Sequence, residues 1–243
     1  MKNIIKYCLI LAVYIAVGNS MLYCQVGAVS AVTGKMINRV SKEPVGVKFH
    51  IYDISGKRVN ARAMNSNSST GYYYIPSLQP GSVYYIHIEE PNYMKQVFEV
   101  IIPNTDKYSE ISRDFLVSPK EIGTKIPIEI PPFELRKSEL RWGSDQILDE
   151  YAMTMMKNTD VQFEIISYPE SDLDKEANKA LTSERAKHLV NYFISKGVDP
   201  SKITATGKTL PDPRNPPPAE RQAKGKRYIG TTYIYVADIK KTD

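Results

Sequence analysis

Two polar side chains stand where a core-facing surface is expected. In "NKALTSERAKHLVNYFISKG", residues 178–197, helical spacing gathers Leu181, Ala186, Leu189, Val190, Tyr192 and Phe193 on one broad face. Asn178 and Arg185, seven residues apart, fall inside the same arc and stack nearly above one another. Arg185 has Leu181 and Leu189 at i−4 and i+4, so its own helix offers it no carboxylate. A guanidinium in that place has two uses. It is a planar fork for a carboxylate arriving from elsewhere, or a buried cation bonded to carbonyls of the Pro-rich loop further along. Glu170, Asp172 and Asp174 precede the helix. Acids in that position face a cation, and the helix dipole alone also favours them.

Other patterns that suggest chemistry do not hold together. "TGKT" (Thr206–Thr209) lacks the first glycine of a phosphate loop, since position 202 is Lys202, and Pro211 stands where the helix should begin. His50, His87 and His188 lie far apart with no metal-binding doublet. No nucleophile elbow or acid–base pair stands out. The expectation is a protein that is not an enzyme and uses no cofactor or metal.

The elements that position these residues change character along the chain. From Val26 to about Ser118, "VGVKFHIYD", "TGYYYIPSL", "GSVYYIHIEE", "KQVFEVIIP" and "ISRDFLV" are short runs separated by Gly, Pro and Asn turns. They predict an antiparallel β-sandwich of six or seven strands over 26–118. Alternate members of the cluster Tyr72, Tyr73, Tyr74, Tyr84, Tyr85 should pack inward, leaving the others for a sugar- or peptide-binding face. Residues 119–131 form a joint of Pro, Gly and Lys followed by alternating Ile. Beyond it come a helix through "SDQILDEYAMTMMKN", a strand "VQFEIIS", the helix of residues 178–197, a strand "KITATGK", a Pro-rich loop and a last strand "YIGTTYIYVAD". Ser144 and Asp145 should cap the first helix, and Gly197 should end the second. Strands alternating with helices over 132–239 predict an α/β sandwich with helices packed on one mixed sheet, so the fold class of the whole chain is α+β.

The first residues predict export. Lys2 and Lys6 precede an apolar run from Tyr7 to Val17 and then "GNSMLYCQ", the order of a secretory signal peptide over residues 1–24, with cleavage after Ser20 or Cys24. Acylation of Cys24 is disfavoured because Tyr23 occupies a place that calls for a small residue. Both cysteines, Cys8 and Cys24, lie in this segment, so cleavage after Cys24 leaves a mature chain with no disulfide to form in an oxidising compartment. Its removal takes two lysines from a formal charge of +5. The remaining basic excess is mild and points to no nucleic-acid partner.

The pieces "AVTGKMINRVSKEPVGVKFHIYDISGK" and "NSNSSTGYYYIPSLQPGSVYYIHIEEPNY", with Gly71-Tyr72, Leu78-Gln79-Pro80-Gly81 and Tyr85, resemble the carboxypeptidase-regulatory-like (transthyretin-like) β-sandwich. Such modules serve as stalks or binding platforms, which implies envelope protein partners for this half. "NKALTSERAKHLVNYFISKGVDPSKITATGK" resembles the OmpA-like peptidoglycan-binding domain. Asn178, Leu181, Arg185, Ala186, Gly197, Ile203 and Gly207 stand at that family's spacing, with Thr182 at the Ser place of its Leu-Ser-x-x-Arg-Ala.

That second resemblance implies a ligand. In the family, Arg and Asn line a pocket for the diaminopimelate of the peptidoglycan stem peptide, a group with a carboxylate beside an ammonium. Arg185 would take the carboxylate. The family's Asp, fifteen positions earlier in a Gly-His-Thr-Asp signature, takes the ammonium; here those positions are Ser167-Tyr168-Pro169-Glu170, leaving Glu170, or Asp172 after a two-residue shift, for that role. The family's Asn-Arg-Arg before the last strand is Gly225-Lys226-Arg227 here. The implied peptidoglycan-binding residues are therefore Glu170, Asp172, Asn178, Thr182, Arg185, Lys226 and Arg227. The implied role is a non-catalytic periplasmic protein associated with the outer membrane. The alternative is an envelope or secretion-assembly scaffold that has lost wall binding and binds proteins.

Overall fold

The computed structural model describes residues 29–170, 174–214, 228–229 and 231–240. The expected signal peptide and both cysteines lie outside the described residues. Within them, no helix is long and apolar enough to cross a membrane.

The first half is built from β1 (Ser30–Asn38), β2 (Lys48–Asp53), β3 (Met64–Asn65), β4 (Tyr72–Leu78), β5 (Val83–Ile88), β6 (Val97–Ile101), β7 (Ser109–Ser112) and β8 (Phe115–Val117). One sheet runs β4-β1-β7 with β8 also on β1, and the other runs β3-β2-β5-β6. The strand alternation of "YYYIPSL" predicts its burial: Tyr73 and Ile75 are buried while Tyr72 and Tyr74 are exposed. Phe49, Ile51, Tyr73, Ile75, Ile86, Val100 and Phe115 belong to one shared core. The expected antiparallel pairing needs one amendment, because β1 pairs parallel with both β7 and β8. Gly71 adopts φ +68°, and a Cβ there would stand 2.4 Å from the Met36 carbonyl oxygen, so only glycine lets β4 begin where it does.

The second half comprises β9 (Lys125–Pro127), β10 (Phe133–Glu134), α1 (Asp145–Lys157), β11 (Val161–Ser167), α2 (Lys175–Ser195), β12 (Ile203–Gly207), β13 (Tyr228–Ile229) and β14 (Thr232–Ile239). The mixed sheet is ordered β12-β11-β14-β9, parallel between β11 and β12 and antiparallel elsewhere. Its edge strand β9 lies inside the stretch expected to be only a joint. Leu148, Tyr151 and Met155 of α1 and Ala186, Leu189 and Phe193 of α2 bury against Phe163, Ile165, Ile234 and Val236 of the sheet. Truncating a side chain such as Phe193 to Ala would remove about 3–5 kcal/mol.

The helix ends differ in part from expectation. Ser144 occupies the N-cap of α1 but makes no side-chain cap bond, because its hydroxyl turns back to the Arg141 carbonyl at 2.8 Å. Helix α2 starts three residues earlier than the apolar arc suggests, capped by Asp174, whose carboxylate accepts from the Ala177 amide at 2.9 Å. Gly197 has φ +103°, and the Val198 amide donates to Phe193 O, closing the helix as its sequence predicts.

Contacts knit the two halves together. Arg39 of β1 is buried; it donates to Tyr151 Oη of α1 at 2.6 Å and pairs with Glu150. Asn158, just past α1, exchanges two hydrogen bonds with the Lys95 backbone, and Lys120 pairs with Asp160 at 2.6 Å. Met94 belongs to the second half's core although it precedes β6.

Candidate functional site

The polar stripe on α2 meets two other segments. Arg185 has no solvent-exposed surface. Its Nε donates to Lys137 O at 2.7 Å, and its Nη2 donates to Glu134 O at 3.1 Å and to Glu170 Oε1 at 2.6 Å. The guanidinium also lies 5.4 Å from the ring centre of Phe133, within cation–π range. Glu170 follows β11, and its Oε1 accepts in addition from the Arg136 amide at 3.3 Å. A guanidinium has five N–H donors. Three are spent on these contacts, and Nη1, though buried, makes no hydrogen bond among the described residues.

Glu134 ends β10, and Arg136 and Lys137 belong to the turn after it. Arg136 takes φ +61°, and the Lys137 amide closes the turn on Glu134 O at 3.1 Å. Helix α2 grips this turn at two further points. Ser138 Oγ donates to the Glu184 carboxylate at 3.0 Å, and His188 Nδ1 donates to Ser138 O at 2.5 Å, which fixes its tautomer. A cleft of about 640 Å³ opens beside the turn, between residues 134–142 and Leu181 and Glu184 of α2.

The other expected site residues take different positions. Asn178 is buried and its amide donates to Thr209 O at 3.4 Å, on the loop that leaves β12. Thr182 is fully buried, with Oγ1 2.8 Å from both Asn178 O and Lys208 O, so its single proton ties α2 internally or to the end of β12. Gly207 explains how the two elements come this close: a Cβ there would stand 2.4 Å from the Ser183 amide nitrogen. Asp172, Lys226 and Arg227 lie outside the described residues. Arg185 takes its carbonyls from the turn after β10, not from the Pro-rich loop that the sequence suggests for a structural role. No side-chain pattern could have marked that turn, since it contributes backbone oxygens. Leu181 lies at the cleft while Thr182 faces the core.

An arginine and an acid fifteen residues apart are thus joined just past the end of β11, and the arginine is bonded to Glu134 and Lys137, two of the residues that line the cleft. A family model for the OmpA family matches residues 132–225. This segment is an OmpA-family domain. Among solved structures, the chain is similar to a putative MotB-like protein from Desulfovibrio vulgaris, at 22% identity over 46% of this chain and 71% of that one, with a TM-score of 0.35. It is similar to the OmpA-like domain of FopA1 from Francisella tularensis, at 13% identity over 51% and 86% of the two chains, with a TM-score of 0.33. A backbone protein of the group B streptococcus pilus 2b is similar at 15% identity over 37% of this chain, with a TM-score of 0.31; the match spans 40% of that protein's length. No curated protein matches the chain. In the OmpA-like domain, Glu170 and Arg185 stand at the end of the central strand and on the second helix.

Proposed function

We propose that this chain is a non-catalytic, exported envelope protein whose OmpA-like domain holds peptidoglycan through the diaminopimelate of the stem peptide. The observation that carries the reading is the pairing of Arg185 with Glu170 while the buried Nη1 of Arg185 makes no hydrogen bond among the described residues. A ligand bearing a carboxylate beside an ammonium matches that arrangement, the carboxylate engaging the guanidinium and the ammonium taking Glu170. The periplasm, with association to the outer membrane, is the compartment that would supply this ligand. The β-rich first half then serves as a platform for envelope protein partners.

Co-sedimentation with purified sacculi tests this. Wild type should pellet with diaminopimelate-containing walls and not with lysine-type walls, and Glu170→Gln should stay in the supernatant while remaining folded. Equal pelleting with both wall types, or undiminished binding by Glu170→Gln, would reject the mechanism.

One observation favours a second reading, a scaffold that has lost wall binding. Arg185 is wholly buried, and its three engaged donors all serve the chain itself. A wild type that never pellets with sacculi, together with a folded core that depends on Arg185, would select that reading.

A further inference from the structure

The cleft beside residues 134–142 carries the chain's single tryptophan, and Trp142 is 99% exposed. Its backbone is braced. The Arg141 amide donates to Pro132 O at 2.8 Å, Ser144 N and Oγ both donate to Arg141 O, and Gly143 at φ +79° turns the chain. The indole is thus presented on a structured turn with neither face covered by the protein. Covering an indole gains more than covering most side chains, and its geometry favours flat partners.

The surrounding surface selects among partners. Arg136, Lys137 and Arg141 line the cleft together with Glu134, Glu139 and Glu184, so its formal charges cancel. Lys137 Nζ pairs with Glu134 at 2.8 Å, and Glu184 accepts from Ser138. A balanced surface gives little attraction to an anionic membrane, which calls for clustered Lys and Arg. It suits a neutral, hydroxyl-rich ligand: the ring covers the C–H face of a pyranose while donors and acceptors around it meet hydroxyl and acetamido groups. The cleft volume, about 640 Å³, falls in the range of small-ligand sites.

We propose that this cleft is a carbohydrate subsite in which Trp142 stacks on an N-acetylhexosamine ring of the glycan strand. The inference rests on the reading of Arg185 and Glu170 as the stem-peptide site. The two places are contiguous, because Glu134 and Lys137 line the cleft and also give their backbone carbonyls to Arg185.

Because Trp142 is the sole tryptophan, its emission reports the site directly. The full chain is titrated with a soluble disaccharide-tripeptide, the same tripeptide without sugar, a chito-oligosaccharide, and vesicles containing anionic lipid; calorimetry replaces fluorescence for Trp142→Ala. The disaccharide-tripeptide should shift the emission to the blue and bind about tenfold more tightly than the bare tripeptide, a difference of the size one aromatic contact supplies. Trp142→Ala should bind both ligands equally, and Glu170→Gln should weaken both. Equal affinities in wild type, or a sugar preference that survives in Trp142→Ala, would overturn the subsite. A blue shift with the chito-oligosaccharide but no binding of bare tripeptide would uphold the subsite and reject the stem-peptide reading. A shift with anionic vesicles alone would make the surface a membrane contact and end the proposal.

Discussion

Glu170 Oε1 accepts from Arg185 Nη2 at 2.6 Å, joining the end of β11 to the middle of α2 across fifteen residues of sequence. The two partners are unequally placed. The arginine side chain is fully buried, whereas the glutamate keeps 13% of its side-chain surface in water. Burying a guanidinium costs several kcal/mol, and here two backbone carbonyls and Phe133 help the carboxylate offset it. The glutamate is the partner within reach of solvent.

Arg185→Ala should therefore destabilise the domain by roughly 3–5 kcal/mol, because it takes the charged donor from Glu170, Glu134 O and Lys137 O at once and leaves the Glu170 carboxylate only the Arg136 amide among the described residues. Glu170→Gln keeps an acceptor of nearly the same shape and should cost about 1–3 kcal/mol. Urea denaturation of the two variants checks both magnitudes. A loss below about 1 kcal/mol for Arg185→Ala would show that the guanidinium does not hold the turn after β10.

Gly207→Ala should loosen the contact between β12 and α2. Its new Cβ would meet the Ser183 amide nitrogen at 2.4 Å and Thr182 Oγ1 at 2.7 Å, and both belong to the helix. The helix must retreat or the strand must bend, at a cost of about 1–3 kcal/mol typical of overpacking. Hydrogen exchange should show the Lys208 and Asn178 regions opening before the rest of the domain. Unchanged protection there would mean the strand end absorbs the methyl freely.

Much of this arrangement is legible in the residues, for definite reasons. The alternation of "VQFEIIS" and the placing of Gly197 report local geometry, so β11 and the end of α2 follow from them directly. Arg185 advertises itself by breaking an apolar arc. Its acceptors do not, because Glu134 O and Lys137 O are main-chain atoms that every residue carries. The edge strand β9 is half visible: Ile126, Ile128 and Ile130 alternate, but Pro127, Pro131 and Pro132 interrupt the run, and the three residues Lys125–Pro127 are set by pairing with Tyr233–Tyr235 of β14. Arg39 gives no sign of leaving its own half to meet Tyr151, since a contact across 112 residues has no local pattern.

That contact supplies a third prediction. Burial pushes the Tyr151 phenol up to about 12, so at neutral pH it remains a donor, to Pro127 O at 2.8 Å, while accepting from Arg39. Tyr151→Phe leaves both partners without their bonds in a buried site and should cost about 1–3 kcal/mol. If Arg39 and Tyr151 couple the two halves, the variant's unfolding should broaden or split into two transitions. A single sharp transition at the wild-type midpoint would assign the coupling to the Lys95–Asn158 and Lys120–Asp160 contacts instead.

The fourth prediction concerns acid. His50, on β2, is buried; its Nδ1 accepts from Arg58 Nε at 2.7 Å, Arg58 Nη2 also contacts both ring nitrogens, and Nε2 lies 3.2 Å from a Glu89 carboxylate oxygen. Burial is the main cause holding its pKa below the ordinary histidine value. Arg58 and Lys48 act in the same direction and Glu89 opposes them. Its cross-strand partner His87 is lowered as well, by burial first and then by Lys157, again against Glu89. Both rings are therefore neutral in the fold under conditions where the unfolded chain would protonate them. Between the folded and unfolded values the unfolded state binds more protons, so stability rises with pH across that window. The contribution is complete above about 6.5, the ordinary histidine value, and is lost as pH falls below it. Urea midpoints measured at pH 7.5, 6.5 and 5.5 should decline toward acid in wild type and decline less in His50→Gln, with His87→Gln removing the remainder of the histidine slope. Parallel declines in all three proteins would place the acid sensitivity in the carboxylates.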